Sequence, residues 1–323
     1  MKFADPYDFQ RAVRAATVEA VVTKSGAYSA ELTRTDLHQL WMQRGRMSLP
    51  HVNRSALHND RRAVFFPTQG TMHHSGMEIS PGDIVFLSSG AEHHHRTPAG
   101  FSWGAMSLTP DALAAAGETF AGYELTAPSR TRVIRPPVHL LQRLLHLHEA
   151  AGHLATTAPD ILTHTEVAKA MEQELVRAMI ACLSVGMIVQ TYNFGYQRVP
   201  VMVRFEQLLE ANQGKSLYVA EICAAIGVSD RTLRAHCQEH LGMSPHRYLW
   251  LRRMHLARRK LALADPATTT VTVIANDLGF GELGRFAVLY RKLFGEAPSA
   301  TLRRAHDLRM PQADVSSNLP ILP

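Results

Sequence analysis

Two histidines and a cysteine fall within five consecutive positions of the sequence, at His236, Cys237 and His240. Imidazole and thiolate groups are zinc ligands, and residues i and i+4 share one face of a helix. A zinc site would also need a fourth ligand or a water molecule, which the neighbouring residues do not clearly supply. The alternative is a helix on which the two histidines are half-buried core residues.

A second copy of the segment, 52 to 53 residues further along the chain, favours the alternative. The aligned pairs are Gly227 with Gly279, Leu233 with Phe286, His236 with Leu289, Cys237 with Tyr290, His240 with Leu293, and Gly242 with Gly295. Each copy predicts a helix, a glycine turn of positive φ and a second helix, which is a helix-turn-helix. Positions that hold Leu or Tyr in the sister copy are packing positions, so the pattern disfavours a metal site.

The outward face of each second helix follows from a rotation of about 100° per residue. The predicted outward residues are Ser229, Arg231, Thr232, Arg234, Ala235 and Gln238 in the first copy. In the second copy they are Leu283, Gly284, Arg285, Val288, Arg291 and Lys292. Arg and Gln can donate paired hydrogen bonds to purine edges, and basic side chains contact phosphates. We therefore expect the first copy to read DNA bases and the second mainly to anchor on phosphates, the alternative being a solvated charged surface.

Residues 246–266, between the copies, alternate apolar and basic positions and predict one helix that ends near Asp265 and Pro266. The apolar side would pack on the core. The basic side includes Arg252 and Arg258. Such a rigid spacer would hold the two reading helices about one DNA turn, roughly 34 Å, apart.

Charge divides the chain in the same place. Residues 1–197 contain 17 basic and 17 acidic side chains, whereas residues 198–323 contain 17 and 11, so the second part holds the whole net charge of +6. This excess indicates a polyanion partner. Three cysteines without paired spacing and no long apolar run or signal core predict a cytoplasmic protein without a membrane segment. No phosphate-binding loop or catalytic motif occurs, so no enzyme activity and no cofactor are expected.

The first third of the chain predicts short strands, at 27–35, 62–67, 83–89 and 101–108. Turn signals separate them, including Arg44-Gly45 and Pro81-Gly82-Asp83. Apolar residues spaced by three and four then predict helices over 137–153 and 161–185. Many short strands at this spacing indicate a sandwich or a small barrel.

The region from Arg198 to Arg304 resembles the DNA-binding domain of the AraC/XylS family, through EICAAIGVSDRTLRAHCQEHLGMSPHRYLWLRRMHLAR and VTVIANDLGFGELGRFAVLYRKLFGEAPSATLRR. One departure is Cys237, where the family usually has Phe. The resemblance implies a transcription regulator, more often an activator, that binds promoter double-stranded DNA and contacts RNA polymerase.

The N-terminal part is similar in outline to the cupin-like sensor domains of such regulators, through PGDIVFLSSGAEHHH. This similarity implies a small-molecule effector and a homodimer. The candidate effector-binding residues are Trp41, Phe66, His93, His95 and Trp103. Alternatively, His73, His74, Glu78 and one of the histidines at 93–95 would bind a metal, giving a cupin-type metalloenzyme with an appended DNA-binding module.

The predicted fold class is therefore a multidomain α+β protein. A cupin-like β-barrel with helices would occupy 1–190, for effector sensing and dimerisation, and a linker would follow at 191–200. An all-α domain with two helix-turn-helix motifs joined by a linker helix would occupy 201–308, ahead of a flexible tail at 309–323.

Overall fold

The computed structural model describes residues 1–74, 77–88, 92–191, 201–212 and 217–307. Within them a sheet-rich region, up to residue 191, precedes a helical region that starts at residue 201. The predicted linker lies outside the described residues from position 192 onward, and so does the predicted tail at 309–323.

The strands of the sheet-rich region form two antiparallel sheets. In chain order they are β1 Lys2–Phe3, β2 Ala16–Val22, β3 Ala30–Asp36, β4 Trp41–Met47, β5 His51–Leu57, β6 Arg62–Gln69, β7 Met72–His74, β8 Met77–Ile79, β9 Ile84–Phe86, β10 Glu92–Thr97, β11 Phe101–Leu108, β12 Arg132–Arg135 and β13 Met187–Thr191. The larger sheet has the order β1-β3-β4-β11-β6-β9-β12-β13, and the smaller sheet has the order β2-β5-β10-β7-β8. Within the described residues no strand pairing joins the two sheets, so the cupin-like barrel stays a prediction.

Five helical segments accompany the described strands, and seven helices make up the described part of the helical region. The first set is α1 Pro6–Ala12, α2 Pro110–Ala121, α3 Val138–Thr157, a short 3-10 helix at Pro159–Thr163 and α4 Thr165–Val185. The second set is α5 Val201–Ala211, α6 Val219–Ile226, α7 Asp230–Leu241, α8 Pro245–Leu263, α9 Val271–Asp277, α10 Leu283–Phe294 and α11 Pro298–Asp307. Both helices predicted over 137–153 and 161–185 are present, with shifted ends.

Apolar cores order these elements into layers. Leu175 and Met179 of α4 pack with Phe66 of the larger sheet, so α4 buries its apolar stripe within its own region. Met72 of the smaller sheet packs with Phe101 of the larger one, which places the two sheets face to face. The helical region has a separate core.

The core of the helical region extends onto the outer face of the smaller sheet. Val21 of β2 and Val52 of β5 are paired across the strands and belong to the same cluster as Leu233 and Leu251. The helical region therefore covers this sheet. Because successive side chains of a strand point to opposite faces, each strand of the smaller sheet serves both the intersheet core and the helical region.

The turn predicted at Arg44-Gly45 is wrong, because both residues lie within β4. Gly45 is paired with Trp103 on β11. A Cβ atom on Gly45 would lie 2.4 Å from Cε2 of the Trp103 indole, which is too close for any side chain. The glycine thus makes room for a cross-strand indole, a role of strand glycines that the turn rule overlooks.

Leu233→Ala tests the predicted inward face of α7. Leu233 is fully buried, and truncating a buried leucine costs about 2–5 kcal/mol because it leaves a cavity. We expect chemical denaturation to give an unfolding free energy lowered by that amount. Val288→Ala is the control, since its side chain is 68% exposed and should change stability by less than about 0.5 kcal/mol. Equal effects would contradict the assigned faces.

Candidate nucleic-acid interface

The first helix-turn-helix is built from α6, a glycine turn and α7. Gly227 ends α6 with a φ of 68°, a conformation that favours glycine. Ser229 then caps α7, because its Oγ accepts a hydrogen bond from the backbone N–H of Thr232 at 3.1 Å. These local signals fix where α7 starts and hence which of its residues face outward.

The outward face of α7 is exposed while its inward face is buried. Leu233 and Cys237 are 0% exposed. The predicted outward residues, all exposed, are Ser229, Arg231, Thr232, Arg234, Ala235 and Gln238. Nε of Arg234 lies 2.7 Å from Oδ2 of Asp230 one turn earlier, an exposed pair that a competing phosphate or base edge can replace.

The second helix-turn-helix repeats this arrangement with α9 and α10. Gly279 has a φ of 73° in the turn, and Phe286 and Tyr290 are buried inward. The predicted outward residues are Leu283, which is half-buried, and the exposed Gly284, Arg285, Val288, Arg291 and Lys292. This face has basic side chains near its end and an apolar centre at Val288.

The helix between the two units has a different environment from the one predicted. α8 is a single helix, but Arg252 and Arg258 are not part of a free basic side. Arg258 pairs with Asp5 at 2.8 Å and with Glu296 at 3.4 Å. Arg252 likewise meets carboxylates from both sides of α8, Glu206 of α5 and Glu19 of β2.

A network of ion pairs joins the helical region to the smaller sheet. Arg54 of β5 donates two hydrogen bonds to Glu210 of α5, at 2.6 and 2.9 Å, and these bonds lower the pKa of Glu210. Arg252 donates to Glu206 at 2.9 Å, and Glu206 is fully buried. His94 of β10 lies 3.8 Å from the same carboxylate. Sequence reasoning missed this network because its members are far apart in the chain.

His236 and His240 are half-buried, as the repeat predicts, and their rings stack with centroids 6.1 Å apart. Cys237 points into the core, away from them. The third potential ligand beside the two histidines is Glu239, which the sequence analysis did not single out. Burial lowers the pKa of His240, so its imidazole is neutral at pH 7.

A cavity of about 100 Å³ lies between the two sheets. Trp41, His95 and Trp103 line the cavity, as the sequence analysis predicted. Asn53, Phe65, His74 and Phe101 also line it, and the sequence analysis did not assign these four residues to the effector site. Phe66 and His93 are elsewhere. Phe66 packs edge-on against His148 on the helix-covered face of the larger sheet, and His93 is buried beside His74 with ring centroids 5.1 Å apart.

The cavity histidines are neutral. Burial lowers the pKa of His95 to about 3 and keeps that of His74 well below 6.5. Near pH 7 these rings therefore provide hydrogen-bonding groups without charge in an otherwise aromatic cavity.

The residues of the alternative metal site do not converge. His73 pairs with Glu78 across β7 and β8, whereas His74 pairs with Met77. Adjacent strand residues face opposite ways, so His73 and Glu78 lie on one face of the sheet and His74 lies on the other, with His95. Among the described residues, three potential metal ligands with donor atoms within 4.8 Å of one another occur on α7, at His236, Glu239 and His240.

A family model described as a helix-turn-helix domain matches residues 222–304. The chain is 34% identical to the probable thc operon regulatory protein of Rhodococcus erythropolis, over 49% of this chain and 48% of that protein. It is 32% identical to the XylDLEGF operon transcriptional activator 3 of Pseudomonas putida, over 45% of this chain and 42% of that protein. The match thus spans less than half the length of these relatives.

One solved structure is also related in sequence. It is a probable AraC family transcriptional regulator from Rhodopseudomonas palustris CGA009, 36% identical over 32% of this chain and 96% of that chain, with a TM-score of 0.29. Within the described residues, no helix is both long and apolar enough to cross a membrane.

Arg252→Ala tests the ion-pair network beside the smaller sheet, because Arg252 pairs with Glu206 of α5 and also with Glu19 of β2, at 3.6 Å. The substitution leaves the buried carboxylate of Glu206 without its arginine, which costs about 3–5 kcal/mol. We expect thermal unfolding at a clearly lower temperature. Lys260→Ala, an exposed substitution on the same helix, should cost less than about 0.5 kcal/mol. An Arg252→Ala protein as stable as the control would show that these ion pairs do not stabilise the folded chain.

Proposed function

The chain belongs to the AraC/XylS family of transcriptional regulators, and from this premise we propose that it binds promoter double-stranded DNA through the outward faces of α7 and α10. The observation that carries the proposal is that the two units bury matching residues and leave both predicted faces exposed. An exposed helix with arginines, presented by a helix-turn-helix, fits the major groove.

The two faces have different side chains, which supports a division of labour. On α7, Arg231, Arg234 and Gln238 can each donate to base edges, so this helix supplies most of the sequence reading. On α10, Arg291 and Lys292 lie in the last turn and contact phosphates, while Val288 can touch a thymine methyl group. A merely solvated charged surface would not be expected to differ in this way between the two helices.

A small-molecule effector would bind in the cavity between the sheets, in contact with Trp41, His95 and Trp103. Strand β10 supports a route from this cavity to DNA. His95 lines the cavity, while its neighbour His94 lies against Glu206 of the helical region. A ligand that shifts β10 would change the contacts that hold the reading helices, and so would bias their orientation.

The proposed protein partners are a second copy of the chain and RNA polymerase. The exposed apolar side chains Met187 and Ile188 lie on β13, at the edge of the larger sheet, and Val185 is exposed at the end of α4 just before it. This surface supports contact with a second copy of the chain. As a promoter-bound regulator, more often an activator in this family, the protein would also contact RNA polymerase. Catalysis and a cofactor form no part of the proposal.

Arg234→Ala and Lys292→Ala separate base reading from anchoring. Losing Arg234 should cost about 1–3 kcal/mol on the preferred sequence and relax specificity at one position. Losing Lys292 should weaken binding to all sequences alike. It should also reduce the slope of the logarithm of the binding constant against the logarithm of salt concentration by about one. Binding of the full chain to preferred and scrambled duplexes at several salt concentrations measures both. If the two variants behave alike, the division is wrong; if the full chain binds no duplex, the proposed function is wrong.

The cavity proposal predicts a fluorescence signal. A small molecule that changes DNA affinity should quench the emission of Trp41 and Trp103, because both indoles line the cavity. The third tryptophan, Trp250, lies in α8 and should be unaffected. In a Trp41→Phe, Trp103→Phe double variant the quenching should vanish. Persistent quenching in that variant would place the ligand elsewhere.

A further inference from the structure

We propose that the edge of α7 formed by His236, Glu239 and His240 binds a divalent transition-metal ion of the zinc class. Each side chain offers one ligand atom, and the three ligand atoms lie within 4.8 Å of one another. Two imidazoles and a carboxylate are a zinc donor set that leaves a fourth position for water. The ion would therefore sit on the surface of the helix rather than in its core.

The helix itself places the three ligands. Residues i, i+3 and i+4 lie on one side of a helix, one turn apart. Zinc binds nitrogen and oxygen donors at about 2.0–2.2 Å in a tetrahedral arrangement, so two donors on one ion lie about 3.4 Å apart. Rotation of the three side chains would bring their donor atoms, now within 4.8 Å of one another, to that separation.

The second copy of the repeat makes the cluster stand out. Leu289 and Leu293 take the positions of the two histidines there, and Leu293 is buried in the core. His236 and His240 are only half-buried, and neither ring hydrogen-bonds to another residue in the part of the chain that the structure describes. Packing therefore does not account for the imidazoles, whose nitrogen atoms are available to an ion.

The position of the cluster gives the ion a consequence for DNA binding. Glu239 is exposed beside Ala235 and Gln238 on α7, where its negative charge opposes a DNA phosphate. A bound divalent cation changes the local charge from −1 to +1, which favours a polyanion. This consequence rests on the proposed function, whereas metal binding itself does not.

Isothermal titration of the full chain with Zn²⁺ alone, in the absence of DNA, tests the site. We expect the wild type to bind a zinc ion and Glu239→Gln to lower the zinc affinity at least about tenfold. Losing even an outer-shell partner lowers metal affinity by about 10- to 100-fold. Glu239 is exposed, so this variant should keep its fold. His236→Ala and His240→Ala should each weaken the same event, with circular dichroism to confirm that α7 persists. His246→Ala, at an exposed histidine outside the cluster, is the matched control and should bind like the wild type.

The outcomes are distinct. Zinc binding that is unchanged in all three cluster variants, or no zinc binding to the wild type, would overturn the proposed site. DNA affinity is measured separately, with and without Zn²⁺. A protein that binds zinc through the cluster but binds no DNA would contradict the proposed function and leave the metal site standing.

Discussion

Each two-helix unit of the helical region can bury only one face of its second helix, and this constraint decides which side chains are available to a partner. Leu233 and Cys237 fill the core in the first unit, and Phe286 and Tyr290 do so in the second. Burying these side chains stabilises the region through the hydrophobic effect. The opposite faces, with their arginines, have no alternative but to face outward. The proposed DNA binding rests on this geometry.

The smaller sheet is a two-sided connection between the intersheet cavity and those helices. On β10, His95 faces the cavity while His94 faces the buried carboxylate of Glu206. That carboxylate also pairs with Arg252 of α8. A buried ion pair of this kind contributes little net stability but is costly to disrupt. Arg252 also pairs with Glu19 of β2 at 3.6 Å, so the contacts of Arg252 and His94 together connect the helical region to the smaller sheet.

The sequence predicted the parts of the fold that depend on neighbouring residues. Glycine turns such as Gly227 and the cap at Ser229 are local signals, and the repeat located them correctly. What it could not predict depends on residues far apart in the chain. Gly45 looked like a turn until Trp103 was seen against it, and Arg252 looked solvent-exposed until the sheet was placed beside α8. A metal at His236 and His240 was disfavoured from the sequence because Glu239 was not considered with them.

The most direct test of the central claim is a footprint of the full chain on DNA selected from a random pool. If the two exposed faces both read the duplex, the footprint should contain two protected major-groove segments on one side of the DNA. Their centres should lie about one helical turn apart, roughly 34 Å. A single protected segment, or two segments on opposite sides of the duplex, would contradict the account.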